Sequence, residues 1–169
     1  MHGASTLLAM RTAASILWPR AYDPTRVSDQ LANLGRAFSA PPEFRRDRPL
    51  LQSDGDPWAI NVFGHAAFGS EIYARTRACG HGPAAAFAAT AAASVAWEYV
   101  LEAPYKRPSA LDLAWTPVVG GLVVGELRFR ARDWLRGSGN VLPAFLRDVL
   151  LIGVDPFGEL ERRVFHTRC

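Results

Sequence analysis

The sequence contains very little lysine, cysteine and methionine. Lys106 is the only lysine among 19 basic residues, and the chain has two cysteines and two methionines. Cys79 and Cys169 offer neither the paired spacing of a zinc site nor the framework of a disulfide-rich domain. The arginines are scattered rather than gathered into a basic stripe with aromatic residues, and this distribution argues against nucleic-acid binding.

The sequence also lacks strand patterns and the motifs of known catalytic classes. No segment alternates apolar and polar residues between turn residues, and Gly69-Ser70-Glu71 does not have the flanks of a nucleophile elbow. Val118-Val119 and Val123-Val124 are compatible with a short buried strand, but the glycines between them are more typical of close helix packing. An all-α fold is therefore predicted.

Cap residues and prolines divide the chain into about five to six helices. Proline directly follows Asp56, Gly82 and Asp155, and Ser109 is a predicted N-cap with Asp112 three residues later. The predicted helices are 28–38, 58–77, 83–103, 109–134 with a kink at Pro117, 141–152 and 156–165. We expect them to form a bundle with glycine-rich close packing, and this bundle is compatible with membrane association.

The length of 169 residues and the apolar fraction of 49% suit a folded domain with a sizeable core. The proline-containing stretch 39–55 predicts a linker. It separates N-terminal helices in residues 1–55 from a helical core domain in residues 56–169.

Residues 1–18 form an apolar stretch interrupted by Arg11. A signal peptide would place its basic residues before the apolar core and a cleavage site after it, whereas Trp18-Pro19-Arg20 follows here. An amphipathic helix fits this pattern, and so does the remainder of a removed export signal. The helix at 83–103 is long enough to cross a bilayer but consists largely of alanine, so a soluble or membrane-peripheral protein is favoured over an embedded one.

Glu98 and Glu102 follow the longest stretch without a formal charge, 78–97. They lie one helical turn apart, where like charges repel, and burial beside apolar residues makes this repulsion more costly. The favoured interpretation is a structural ion network, and the alternatives are a catalytic or metal-binding role and a solvated helix face. Four basic residues are candidates for neutralising the pair: Arg75, Arg77, Lys106 and Arg107.

His65 shares a predicted helix face with Asn61, which is placed to hydrogen-bond towards the imidazole. One histidine and two glutamates could form a mononuclear metal site, so the candidate catalytic set is His65, Glu98 and Glu102. A core histidine that orders two helices is equally consistent with the pattern. These residues do not specify which metal or cofactor, if any, is bound.

Several other polar residues are assigned to a structural network. Asp112 is predicted as a helix cap. Glu126 with Arg130 and Glu71 with Arg75 have the four-residue spacing of salt bridges on one helix face. The predicted members of the structural network are Asn61, Tyr73, Arg77, Asp112 and Glu126.

Three short motifs occur together in the chain: Asn61-x-x-x-His65, Trp97-Glu98-Tyr99-x-x-Glu102 and Pro108-Ser109-x-x-Asp112. With them, residues 41–134 resemble an uncharacterised bacterial family, a domain of unknown function, that is associated with the cell envelope. The resemblance implies a helical, membrane-associated protein on the periplasmic side of the inner membrane or within it, and a soluble form is compatible with it. It implies no known activity.

Two functions of different classes are consistent with these residues. In the favoured one, a buried network of Asn61, His65, Glu98 and Glu102 fixes the helix register, and the apolar surface contacts lipid or an envelope protein. In the other, a lipid- or envelope-directed hydrolase uses His65 as a base or ligand while the two glutamates hold a metal or orient a water. The residues do not decide whether the protein is an enzyme, and nothing in them sets an oligomeric state.

Overall fold

The structure is a computed structural model that describes residues 27–138 and 141–165, together with Ala9, Thr12, Ala13 and Ile16. Most of the predicted N-terminal helix within residues 1–18, and Cys169, lie outside the described residues. In the described part of the chain the regular structure is helical, and β-type pairing is limited to one isolated bridge between Glu43 and Ser109. The predicted all-α fold is confirmed.

Within residues 27–138 and 141–165, six helices follow one another, as the cap and proline pattern predicts. They are α1 (Val27–Ser39), α2 (58–78), α3 (Pro83–Glu102), α4 (Ala110–Gly137), α5 (Ala144–Val154) and α6 (Pro156–Leu160), the last followed by a helical turn at Glu161–Phe165. The predicted 39–55 linker is largely irregular and contains one short 3₁₀ turn, Leu50–Gln52.

Four segments of the described chain are π-helical turns, in which the backbone is wider than in an α-helix. They are Ile60–Gly64 in α2, Trp97–Glu102 in α3, Thr116–Gly125 in α4 and Glu161–Phe165 after α6. Pro117, at which the sequence predicts a kink, lies in the third of them, because proline has no N–H with which to complete the regular ladder. Such wide turns are often found where side chains have a specific role.

The chain divides into two compact units. Unit 1 contains the chain up to Gly64 together with Ala91–Trp115, and unit 2 contains His65–Thr90 together with the chain from Thr116 onward. Helices α2, α3 and α4 therefore each contribute residues to both units. The predicted separation of residues 1–55 from 56–169 rests on linker composition and stays a prediction.

Unit 2 is built on close contact between backbones of α2 and α4. A Cβ atom added to Gly69 would lie 2.1 Å from the carbonyl oxygen of Thr116, and one added to Gly120 would lie 3.0 Å from the carbonyl oxygen of His65. At Gly125 a Cβ would lie 2.7 Å from that of Tyr73. These glycines are therefore required by the short distance between the two helices, and the predicted glycine-rich close packing is confirmed.

Buried ion pairs surround this contact in unit 2. Both oxygens of the Glu71 carboxylate are bound, one by Arg75 at 2.9 Å and the other by Arg128 at 2.9 Å. Arg128 also donates to the Ser70 hydroxyl at 2.7 Å. The predicted Glu71–Arg75 salt bridge is confirmed, and it is part of a larger network.

The C-terminal part of unit 2 uses the same kind of pairing. Asp155 caps α6 by accepting a hydrogen bond from the backbone of Gly158 at 3.2 Å. Glu159 is 1% exposed and accepts from Arg136 at 3.1 Å and from Arg162. Burial alone would raise the pKa of Glu159, but the hydrogen bonds from the two arginines lower it below its usual value.

Two helices are long and apolar enough to cross a membrane, by length and composition: Pro83–Glu102 and Ala110–Gly137. Core helices of soluble proteins also meet these criteria. Several large apolar side chains on the two helices are exposed: Val95, Val100, Val118, Leu122, Val123 and Leu127. These two helices therefore carry apolar side chains that the described protein does not bury.

Substitution of Gly69 by alanine is expected to destabilise unit 2 by about 3 kcal/mol, because the added methyl group overlaps the Thr116 carbonyl. Gly153→Ala in α5 is the matched control, since nothing lies within 4 Å of its added Cβ and alanine favours a helix by about 1 kcal/mol. Urea denaturation followed by circular dichroism compares the two. A Gly69→Ala variant as stable as Gly153→Ala would contradict the close packing.

The Glu159 cluster predicts a loss of stability in acid. Because the folded pKa of Glu159 is lowered, the unfolded chain binds more protons, so the stabilisation is present above the unfolded pKa and is lost as pH falls through the folded pKa. We expect Glu159→Gln to cost about 1–3 kcal/mol at pH 7 and to differ less from wild type near pH 3. Asp148→Asn, at an exposed position of α5, should change neither value appreciably. Unfolding free energies of the wild type, Glu159→Gln and Asp148→Asn, measured between pH 3 and pH 7, test this prediction.

Candidate functional site

Unit 1 brings together carboxylates from three segments of the chain, and we call them the acidic cluster. Asp54 and Asp56 precede α2, Glu98 and Glu102 lie in the π-helical turn of α3, and Asp112 lies in the first turn of α4. Four of them are buried, with Glu98 and Asp112 fully inaccessible, and Asp56 is half-buried. Burial of this many acidic groups is costly unless hydrogen bonds or cations compensate it.

The turn after α3 returns the chain onto the cluster. The Glu102 carbonyl accepts from the backbone N–H groups of Tyr105 at 2.7 Å and Lys106 at 3.0 Å. The helix ends at this point because Pro104 disfavours continuation from the preceding residue. This tight turn places the only lysine of the chain beside the carboxylates.

Lys106 is the cation that contacts the cluster within the described part of unit 1. Its Nζ lies 2.6 Å from Asp56, 2.9 Å from Glu102 and 3.8 Å from Asp54. The sequence names Lys106 among four candidates for neutralising the two glutamates, and for Glu102 this prediction is confirmed. The ammonium group connects the loop before α2 with the end of α3.

Two neutral residues hold the remaining acidic groups in position. Asn61 Nδ2 donates to Asp54 at 2.8 Å. The backbone N–H of Ser109 donates to Glu98 Oε2 at 2.7 Å, and the Ser109 hydroxyl accepts from the N–H of Asp112 at 3.1 Å. Ser109 is thus the N-cap of α4, as the sequence predicts, and it also joins Glu98 to the start of that helix.

The cluster shifts the pKa values of its members in opposite directions. Burial, followed by the charge of Glu102, raises the pKa of Glu98 to about 8. Burial, followed by the charge of Glu98, raises the pKa of Asp112 to about 9. Burial alone would raise the pKa of Asp54, but hydrogen bonding with Asp112 and the charge of Lys106 lower it. Neighbouring carboxyl groups whose pKa values move apart share a proton or a cation between them.

Asp56 is the most accessible member of the cluster. Its pKa is raised by burial, and the charge of Lys106 opposes this increase. The sequence predicts Asp56 as an N-cap of α2, whereas its carboxylate accepts from Lys106 and its backbone N–H donates to Asp54 Oδ1. The two aspartates of Asp54-Gly55-Asp56 are the sequence feature that could have indicated these members of the cluster. An aspartate followed by Pro57 is also typical of a helix cap, and this interpretation was the one made.

The predicted catalytic residues fall in both units. Glu98 and Glu102 belong to unit 1, whereas His65 belongs to unit 2, where its Nδ1 lies 3.1 Å from the Thr116 hydroxyl. Their joint catalytic role stays a prediction. Asn61, which helical spacing directs towards His65, donates instead to Asp54 and to the Leu51 carbonyl.

The predicted structural network also has members in both units. In unit 1, Asp112 belongs to the acidic cluster and Asn61 donates to its member Asp54, whereas Tyr73, Arg77 and Glu126 lie in unit 2. There Glu126 pairs with Arg77 at 3.1 Å, and burial followed by interaction with Glu126 raises the pKa of Tyr73.

The predicted Glu126–Arg130 salt bridge is confirmed at 2.8 Å. The same carboxylate therefore has two guanidinium partners, since Arg77 binds its other oxygen. This arrangement differs from the acidic cluster, where several carboxylates share one ammonium group.

Comparison with known proteins identifies one family model, described as Domain of unknown function (DUF3943), which matches residues 50–157. The match covers more than half of the chain and includes all five members of the acidic cluster. It extends beyond Trp134, where the resemblance noted from the motifs ends. No curated protein and no solved structure matches the chain.

Substitution of Lys106 by methionine is expected to destabilise unit 1 by about 1–3 kcal/mol, because it leaves Asp56 and Glu102 beside one another without their cation. The control is Arg45→Met, which breaks a more exposed pair with Glu43 and should cost less stability than Lys106→Met. Urea denaturation measures both values. Equal stabilities of the two variants would show that Lys106 does not compensate the cluster.

Proposed function

The chain belongs to the family of the domain of unknown function DUF3943, and we propose that it is a membrane-associated helical protein of the bacterial cell envelope. Its buried polar network serves a structural or interaction role rather than catalysis. The partner of its apolar surface is lipid or an envelope protein.

One observation carries the structural role: each segment of the acidic cluster is tied to another through a buried polar contact. Lys106 joins Asp56 to Glu102, and Ser109 joins Glu98 to the start of α4. Asn61 joins the beginning of α2 to Asp54 in the preceding loop. Buried polar groups of this kind favour one arrangement of the chain over others, since any shift in register leaves a charge without its partner.

The envelope assignment is supported by the apolar surface of α3 and α4. Val100 and Leu127 are each 64% exposed, although both lie on helices long and apolar enough for a bilayer. Exposed apolar side chains on helices of this kind are typical of contact with lipid or another protein. The resemblance of the motifs to an envelope-associated family points in the same direction.

A lipid- or envelope-directed hydrolase is the second candidate, with His65, Glu98 and Glu102 as its reactive groups. The observation in its favour is the raised pKa of Glu98, about 8, since catalytic acids and bases often have pKa values near the working pH. The two candidates differ in what Glu102 does. In the structural role it is one of several charges around Lys106, whereas in the hydrolase it holds a metal or orients a water.

Complementation with Lys106→Met and Glu102→Gln separates the two functions in cells that lack the gene. We expect wild-type protein to be recovered with the membrane fraction. Lys106→Met should lose stability, cellular amount and phenotype together, because it removes the shared cation. Glu102→Gln should keep all three, since the amide preserves the shape of the side chain and removes one excess negative charge.

Each comparison uses three measurements of the same variants: the melting temperature of purified protein, its amount in the membrane fraction, and the phenotype. Loss of the phenotype in Glu102→Gln at unchanged stability and amount would overturn the structural role in favour of the hydrolase. Recovery of wild-type protein only in the soluble fraction would overturn the membrane association. The exposed variant Arg45→Met controls for the effect of removing a positive charge.

A further inference from the structure

Three aspartates of the acidic cluster have the spacing of cation ligands. Asp54, Asp56 and Asp112 each offer one carboxylate oxygen, and these oxygens all lie within 4.8 Å of one another. Oxygen ligands of Mg²⁺ or Ca²⁺ lie about 2.0–2.6 Å from the ion, so ligands of one ion are separated by at most about 5 Å. The three carboxylates can therefore contact one ion without a change in the backbone.

Two buried oxygens beside these aspartates provide an independent indication of a ligand. Glu98 is fully buried and uses Oε2 to accept from Ser109, while its Oε1 has no hydrogen-bond partner among the described residues. Asn61 is 1% exposed, and its Oδ1 likewise has no partner in the described part of the chain. Buried acceptors in folded proteins are normally satisfied by a donor, a water or an ion.

Both oxygens belong to groups that are already attached to the cluster. The Asn61 amide donates through its nitrogen to Asp54, so this amide group adjoins the Asp54 carboxylate. Glu98 accepts from the backbone of Ser109, whose hydroxyl accepts from the backbone of Asp112, and one carboxylate oxygen of Glu98 lies within 4.8 Å of one of Asp112. The two acceptors thus belong to side chains that adjoin the three aspartates.

The charge balance also favours a cation. The cluster contains five carboxyl groups, and the ammonium of Lys106 is the positive group that contacts it within the described part of unit 1. The three aspartates offer carboxylate oxygens as ligands. Such a set suits Mg²⁺, Mn²⁺ or Ca²⁺ better than zinc or copper.

We propose that Asp54, Asp56 and Asp112 bind one divalent cation of the Mg²⁺, Mn²⁺ or Ca²⁺ type, with Asn61 Oδ1 and Glu98 Oε1 as further oxygen ligands. Lys106, which pairs with Asp56 and Glu102, would share the carboxylates with the ion. The site goes beyond the proposed function and does not depend on it. A bound ion would hold the same chain segments together in a structural protein and in a hydrolase.

Mn²⁺ binding to the full chain tests the site directly. Protein stripped with EDTA is titrated with Mn²⁺ near neutral pH, and the free ion is followed by electron paramagnetic resonance, with Ca²⁺ and Mg²⁺ as competitors. We expect one ion per chain and a higher melting temperature with Mn²⁺ than with EDTA. Asp54→Asn and Asp112→Asn should each weaken binding by about tenfold or more. Asp29→Asn, on an exposed part of α1, should leave the affinity unchanged.

Asn61→Asp keeps the proposal testable if an aspartate variant does not fold. The new carboxylate removes the donor to Asp54 and adds a negative charge, so the melting temperature in EDTA should fall. Mn²⁺ should then restore it, with a larger increase than for wild type. A purely structural cluster would show the fall without the restoration.

Three results would overturn the proposal. The first is a wild-type chain whose affinity for Mn²⁺ and Ca²⁺ is weaker than about 1 mM and whose melting temperature does not change. The second is binding that is unaffected in both Asp54→Asn and Asp112→Asn. The third is an Asn61→Asp variant whose lowered melting temperature is not raised by any of the three ions, which would indicate that bound protons neutralise the cluster instead.

Discussion

The gathering of five carboxyl groups, four of them buried, around a single ammonium is the constraint on which unit 1 depends. Each group removed from water costs several kcal/mol, and only close contacts from other parts of the chain recover that cost. Lys106 and Ser109 provide these contacts from the turn after α3 and from the start of α4. The positions of three chain segments are consequently fixed by polar contacts rather than by apolar packing alone.

Unit 2 also buries carboxylates, but it compensates their charge with arginines instead of a lysine. Its buried carboxylates each have one or more guanidinium partners, as Glu71 has in Arg75 and Arg128. The pKa values of Glu126 and Glu159 are accordingly lowered, whereas those of Glu98 and Asp112 are raised. Arginine can bind both oxygens of a carboxylate and stays charged when buried, so the buried carboxylates of unit 2 are compensated by cations of the same unit. The two units therefore differ in electrostatics although both are helical.

Local patterns predicted the helices well because caps, prolines and glycines act over a few residues. Ser109 begins α4 where the cap pattern indicates, and the Glu126–Arg130 pair follows directly from helical spacing.

Tertiary contacts could not be predicted in this way. The approach of Asp54 to Asn61 and of Lys106 to Asp56 depends on how distant segments meet, and the π-helical turns change which side chains share a face. For these reasons the sequence indicated Glu98, Glu102 and Asp112, but it did not indicate Asp54 and marked Asp56 only as a cap residue.

The presence of only one lysine has a practical consequence for studying this protein. Amine-directed reagents, such as activated esters or acetylating agents, have only the Lys106 side chain and the amino terminus to modify. About a fifth of that side chain is accessible, and its Nζ contacts Asp56 and Glu102. The rate of chemical labelling at this position therefore reports on the state of the surrounding acids without any substitution. Mass spectrometry of the intact, unsubstituted protein would measure this labelling rate.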